Sequence, residues 1–306
     1  MKENIKKIIL DTDIGDDIDD AFALLLCLNS SEVELIGVTT VFRNAVARAK
    51  MAKALAKSKG FLNLKVYAGE DKPIKTVPED IVGQEILKKE KKDAFGKYYL
   101  PQYMPSMDSE EIEKQSAVDY IIESAKTYGK DLYLAPIGAL TNVALAIEKA
   151  PEVMKTIGGI TIMGGYFYPQ AKEWNIMCDP EAAKIVFGSG IKVRAVGLDV
   201  TLKCIMDKET QNQVKIKTNG AGEILSTMLE KWFEHYRFNA PVMHDPLAVS
   251  TLILDEFVTF SEEYVDILLD GEDRARTVLN GKYKIEVAKE VDVVKFMDFF
   301  KTRIFN

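Results

Sequence analysis

The chain has 306 residues and sets 40 Lys plus Arg against 47 Asp plus Glu, a formal charge of −7 with a pI near 5.2. That acidic balance, without a long basic block, argues against nucleic acid as the main partner, and the longest apolar run, Ala21–Leu28, is far short of the ~20 residues of a membrane helix. Cys27, Cys178 and Cys204 are odd in number and widely spaced, which speaks against a disulfide framework and for a reducing cytoplasm, while two histidines cannot build a three-His zinc site.

In chain order, Lys6–Leu10 reads as a short buried strand; its apolar part is too short for the ~7–15-residue core of a signal peptide. Ala21–Leu28 is the apolar stretch of a helix, and Val33–Thr40 a second strand. A helix from about Asn44 to Lys59 stops at Gly60, a suitable cap, and Leu64–Tyr67 gives a third strand. Residues 70–107 lack a clean period and hold many Lys and Pro, which predicts a long, partly helical excursion of the kind that often serves as a lid. Helical spacing from Asp108, with Glu111 as its capping partner, runs to Gly129. Strand Leu132–Ala135, helix Leu140–Lys149, strand Ile160–Met163, helix Pro180–Phe187 and strand Val193–Leu198 follow. Three further strands, Tyr264–Leu269, Thr277–Leu279 and Tyr283–Val287, precede a closing helix, Val291–Phe299. This alternation predicts βαβ units in an α/β fold: one open, mostly parallel sheet with helices on both faces. No linker, repeat or low-complexity stretch interrupts it, so residues 1–306 are expected to form one domain.

The acidity is concentrated. From Asp11 the chain reads DTDIGDDIDDA, with carboxylates at Asp11, Asp13, Asp16, Asp17, Asp19 and Asp20 and no Lys or Arg between Lys7 and Arg43. Ligands of open parallel sheets bind beyond the carboxyl ends of strands, where this loop falls. Helix capping accounts for one or two acids, but packed carboxylates raise each other's pKa unless a cation neutralises them. A hard divalent ion with oxygen ligands does so. The EF-hand register fails, since Gly15 is fifth rather than sixth from Asp11 and position twelve is Phe22.

The loop resembles the signature of the inosine–uridine nucleoside hydrolases, and four later segments agree in order. These are Thr39–Asn44 (TTVFRN); Ala135–Asn142 (APIGALTN); Met163-Gly164-Gly165 with Glu173-Trp174-Asn175 and Asp179–Ala182; and Met243-His244-Asp245-Pro246. The resemblance runs from Lys7 to about Arg303. It implies the family's Rossmann-like fold and calcium-dependent hydrolysis of the N-glycosidic bond of ribonucleosides, giving ribose and free base. It further implies that Asp13, Asp20, Asp245 and the carbonyl of Ile137 hold Ca²⁺, with Asp13 also the base for water. Asp19, Asn44, Glu173 and Asn175 would grip the ribose, Met163 and Trp174 would pack around it, and His244 would help the base leave by protonating it or by orienting a donor. A small-molecule ribonucleoside substrate, a cytoplasmic location and a dimer or tetramer are the remaining expectations.

Each residue has a plainer reading. Asn44, Asp179 and Asp245 stand where helix caps stand, Trp174 and Met163 suit a core, and His244 suits a structural histidine. His235 lies in EKWFEHYRF, an expected helix from which Tyr236 or Arg237 reaches the base. Two departures from the family pattern stand out. Asp16, Asp17 and Ile18 separate Gly15 from Asp19 where many members have one residue, which leaves Asp16 and Asp17 as alternative contacts. Residues 70–107 also lack the His-Gly pair that many members carry near the base. Two rival functions are a haloacid-dehalogenase-like Mg²⁺ phosphatase, with Asp11 as nucleophile and Asp13 as acid/base, and a ribonucleoside-binding protein without turnover.

Overall fold

The computed structural model describes residues 5–78, 80–94, 96–216 and 221–305. Its frame is a nine-stranded sheet of β1 (Lys6–Thr12), β2 (Val33–Thr40), β3 (Val66–Ala68), β4 (Leu132–Pro136), β5 (Gly159–Met163), β6 (Val193–Val196), β7 (Val258–Ile267), β8 (Thr277–Leu279) and β9 (Tyr283–Val291). The order is β3-β2-β1-β4-β5-β6-β9-β7-β8. Pairings from β3 through to β9 are parallel, and β7 joins β9 and β8 antiparallel.

Helices α1 (Asp19–Leu28), α2 (Ala45–Ser58), α3 (Ile81–Lys88), α4 (Ala117–Tyr128), α5 (Thr141–Lys149), α6 (Pro151–Met154), α7 (Trp174–Cys178), α8 (Pro180–Phe187), α9 (Leu198–Thr201), α10 (Lys208–Ile216), α11 (Ala221–Tyr236), α12 (His244–Ile253) and α13 (Val293–Phe305) fill the connections. Side chains alternate across a strand, and β1 shows the result. Ile8 and Leu10 enter one apolar layer with residues of α1, α2, α12 and α13, and Ile9 enters the opposite layer with residues of α4, α5 and α8. Among the described residues no helix is long and apolar enough to cross a membrane.

The expected α/β architecture is present, with local corrections. Asp108 lies in a short 3₁₀ turn, Pro105–Ser109, and does not open a helix. The helix starts at Ala117, capped by Ser116, whose side chain accepts from the Asp119 N–H. Asp108 instead accepts from the Tyr103 hydroxyl, and its carbonyl accepts from Lys50. Strand β7 begins six residues before Tyr264, and an irregularity at Thr259/Phe260 interrupts the alternation that would have marked its start. The chain runs outward from β1 to β2 and β3, then returns to build β4, β5 and β6 on the other side. That reversal opens a crevice between the ends of β1 and β4, and there the acidic loop stands.

Candidate active site

Asp19 and Asp20 open α1 and Asp245 is the second residue of α12. Their three carboxylates are buried, each offering an oxygen within 4.8 Å of the others. The Asp245 N–H donates to Asp19 Oδ2 at 3.0 Å, and the Thr12 hydroxyl donates to Asp20. Burial, and then repulsion from neighbouring acids, holds Asp19, Asp20 and Asp245 well above the usual carboxylate range.

Asp13, at the end of β1, is also buried. Burial pushes its carboxyl up to about 7, against the lowering pull of Arg48. Gly138 follows β4 and is required by this neighbour, since a Cβ there would sit 2.6 Å from Asp13 Oδ1. Three buried carboxylates with a fourth beside them repel until a cation neutralises them. An all-oxygen set of this kind fits a hard divalent ion and suits softer metals poorly.

These groups line a cavity of about 600 Å³, a size suited to a small ligand. Of the residues singled out from the sequence, Asp13, Asp19, Asp20, Ile137, Met163, Glu173, Trp174, Asn175, His244 and Asp245 all face it. Glu173 caps α7, accepting from the N–H groups of Asn175 (2.9 Å), Ile176 (3.1 Å) and Gly165 (3.1 Å). The Asn175 amide donates to the carbonyls of Ile137 at 2.8 Å and Met163 at 3.1 Å, so β4, β5 and α7 hold one another in place. His244 Nδ1 meets the Thr201 hydroxyl at 2.7 Å, and burial lowers its pKa to about 4.

Asn44 is absent from the wall. It stands before α2 with φ 55°, and its amide donates to the Tyr98 carbonyl at 3.1 Å, while Asp71 Oδ1 takes the Ala45 N–H. Asp179 is a cap: its Oδ1 accepts from the Ala182 N–H at 3.0 Å and its Oδ2 from the Thr141 hydroxyl at 2.7 Å. Asp11, the nucleophile of the phosphatase reading, lies outside the cavity wall and accepts from the Thr39 hydroxyl (2.7 Å) and the Asn142 amide (2.8 Å). That arrangement does not support the phosphatase.

Among the contributors that sequence reasoning missed are Tyr98, Lys89, Phe238 and Arg48. Tyr98 and Lys89 reach the cavity from the 70–107 excursion, with the Lys89 ammonium 4.2 Å above the Trp174 ring. Of the stretch expected to reach the base, His235 and Tyr236 line the cavity beside Phe238, and Arg237 does not. Arg48, fully buried, enters the acidic loop from α2. Position alone in an Ala- and Lys-rich helix gave no sign of it. A larger cavity of about 750 Å³ opens at the other end of the sheet, around the start of β2, and among the described residues has no comparable group of acids.

The family model described as "Inosine-uridine preferring nucleoside hydrolase" matches residues 8–298. A probable uridine nucleosidase 2 of Arabidopsis thaliana is 32% identical over 297 residues, covering 93% of this chain and 89% of its own. The pyrimidine-specific ribonucleoside hydrolase RihB of Escherichia coli (strain SE11) is 30% identical over 283 residues, covering 89% and 87%. Among solved structures, a purine-preferring ribonucleoside hydrolase from Gardnerella vaginalis superimposes with a TM-score of 0.83 at 32% identity, covering 98% of each chain.

Proposed function

The chain belongs to the inosine–uridine preferring nucleoside hydrolase family and hydrolyses the N-glycosidic bond of ribonucleosides, and from that premise we propose how its residues divide the work. The carrying observation is the convergence of Asp19, Asp20 and Asp245 on one buried point beside Asp13. Asp13, Asp20 and Asp245, with the Ile137 carbonyl, would hold the cation, which we assign as Ca²⁺ on its all-oxygen donors. Held there, such an ion would neutralise the cluster and supply Lewis acidity toward water and the ribose hydroxyls.

The rest follows from the chain's own groups. Asp13 takes a proton from the attacking water, and Gly138 leaves room for its carboxylate. Asp19, whose Oδ2 is fixed by the Asp245 N–H, offers its other oxygen to the ribose. Glu173 and Asn175, each fixed by main-chain partners, orient the remaining sugar hydroxyl, and Trp174 and Met163 pack on the ring. His244, its ring set by Thr201, faces the leaving base. Tyr98, His235, Tyr236 and Phe238 supply aromatic surface around that base. Asn44 would act through Tyr98 rather than by touching ribose.

The test is release of reducing sugar from inosine, uridine, cytidine and adenosine, with and without a calcium chelator. Ribose release that chelation or Asp13→Asn abolishes supports the assignment. Binding by calorimetry without turnover would favour a binding protein, and phosphate release from phosphomonoesters with no ribose would sink the hydrolase. The buried, unpaired thiols of Cys27, Cys178 and Cys204 support a cytoplasmic location. A dimer or tetramer is proposed on family membership alone, for sedimentation to check.

A further inference from the structure

Asp16 and Asp17, in the middle of the acidic loop, do not join the three clustered carboxylates. Asp16 is engaged elsewhere. Its Oδ2 accepts from Arg48 Nη2 at 2.8 Å and its Oδ1 from the Tyr98 hydroxyl at 3.1 Å. Its carbonyl and that of Asp17 accept from the buried Gln102 amide at 2.9 and 2.8 Å.

Arg48 does more than neutralise Asp16. Its guanidinium donates to the carbonyls of Asp13 and of Ile14 (3.0 Å) in the acidic loop. It also donates to those of Phe42 (2.7 Å) and Arg43 (3.0 Å), in a stretch where Phe42, Arg43 and Asn44 all take left-handed φ values of 65°, 48° and 55°. Left-handed backbone at three successive non-glycine residues is costly and persists only where the surroundings over-determine it. A planar fork that meets five acceptors is such a surrounding, and a lysine could not reproduce it.

We propose that Arg48 is a positioning residue for the hydrolysis and that, with Asp16, it latches the Tyr98–Gln102 wall of the cavity to the loop that carries Asp13. Asp16 and Asp17 receive the latch and do not replace a metal ligand. The excursion thereby stands assembled before substrate arrives, and its ordering cost falls on folding rather than on binding. This rests on the hydrolase reading of the same site.

A double-variant cycle on Asp16→Asn and Tyr98→Phe tests it, read as KM, kcat and calcium affinity by calorimetry. Each single change is expected to raise KM for the ribonucleoside about tenfold, the loss of one hydrogen bond to a charged group. The double variant should raise it no further, because the two groups act as one unit. Calcium affinity should stay within about twofold of wild type. KM effects that multiply, or an unchanged KM, overturn the latch. Weaker calcium binding in Asp16→Asn makes Asp16 a ligand and overturns it too, while leaving the hydrolase reading intact.

Arg48→Lys keeps the charge without the fork, and is expected to lower kcat by about tenfold or more and to weaken calcium binding with it. Wild-type values for that variant would remove the positioning role. If the wild-type chain releases no ribose from any ribonucleoside, the reading of the site fails and the latch with it.

Discussion

Asp245 reaches Asp19 across 226 positions of sequence, and the two meet through a main-chain N–H and a carboxylate. Removing its charge relieves repulsion at the cost of an oxygen ligand. Asp245→Asn is therefore expected to raise the Tm of the metal-free protein by about 2 °C. The same change should abolish the rise in Tm that calcium gives the wild type, and lower ribose release by about 100-fold. A variant that still gains Tm with calcium would remove Asp245 from the ligand set. His244→Ala should impair cleavage most for nucleosides whose bases leave poorly; equal loss across inosine, uridine, cytidine and adenosine would end the leaving-group role. At this scale the sequence is legible where chemistry dictates residue type, as with the acids, Glu173 and Asn175. It is silent where the third dimension supplies the partner. There is no Lys or Arg between Lys7 and Arg43, yet Arg48 arrives from α2 to donate to four backbone carbonyls, of Asp13, Ile14, Phe42 and Arg43, and to the Asp16 carboxylate, because a helix turn aims its side chain there.

Elements were legible where periodicity was strong. Val33–Thr40 and Pro180–Phe187 coincide with β2 and α8, since a buried parallel strand and an amphipathic helix each impose a pattern on their own residues. Asp108 with Glu111 failed because a capping pattern is local and common, and tertiary partners decide which serine or aspartate is used; Ser116 was. The joints between elements carry the site, and Gly138 is the clearest case. Its Cβ would press on Asp13 Oδ1 at 2.6 Å and Cγ at 2.9 Å, so Gly138→Ala must displace the carboxylate or the β4–α5 turn. We expect kcat to fall about 100-fold while far-ultraviolet circular dichroism stays native, because a shift near 1 Å at the reacting groups has that effect. Wild-type kcat in a folded Gly138→Ala protein would show that Asp13 need not sit where it does.

Across the whole molecule the surplus of seven negative charges is unevenly placed, and its buried members are handled in two ways. In the cavity Asp19, Asp20 and Asp245 cluster as the proposed holders of a cation, whereas Asp16 there and the acids at the far edge of the excursion are neutralised by the chain itself. Arg274, between β7 and β8, pairs with Glu181 of α8 at 2.7 Å and with Asp80, which caps α3, at 3.1 Å. One buried guanidinium thus ties the antiparallel end of the sheet to a helix of the parallel half and to the start of the lid-like segment. Arg274→Met leaves Glu181 buried with the exposed Lys75 as its cation among the described residues, and is expected to destabilise the protein by about 3 kcal/mol at pH 7. Hydrogen bonding and charge from Arg274 hold the Glu181 carboxyl below its usual range against the opposing effect of burial. A depressed carboxylate pKa contributes stability that is present above the unfolded value, about 4.3, and lost as pH falls through the folded one. The difference in unfolding free energy between wild type and Arg274→Met should therefore be full at pH 7, shrink as pH falls through the range where Glu181 is protonated in the variant but still charged in wild type, and level off once it is protonated in both. Urea melts at a series of pH values measure it, and a difference that stays constant down to pH 3 would show that Arg274 acts through packing and not through charge.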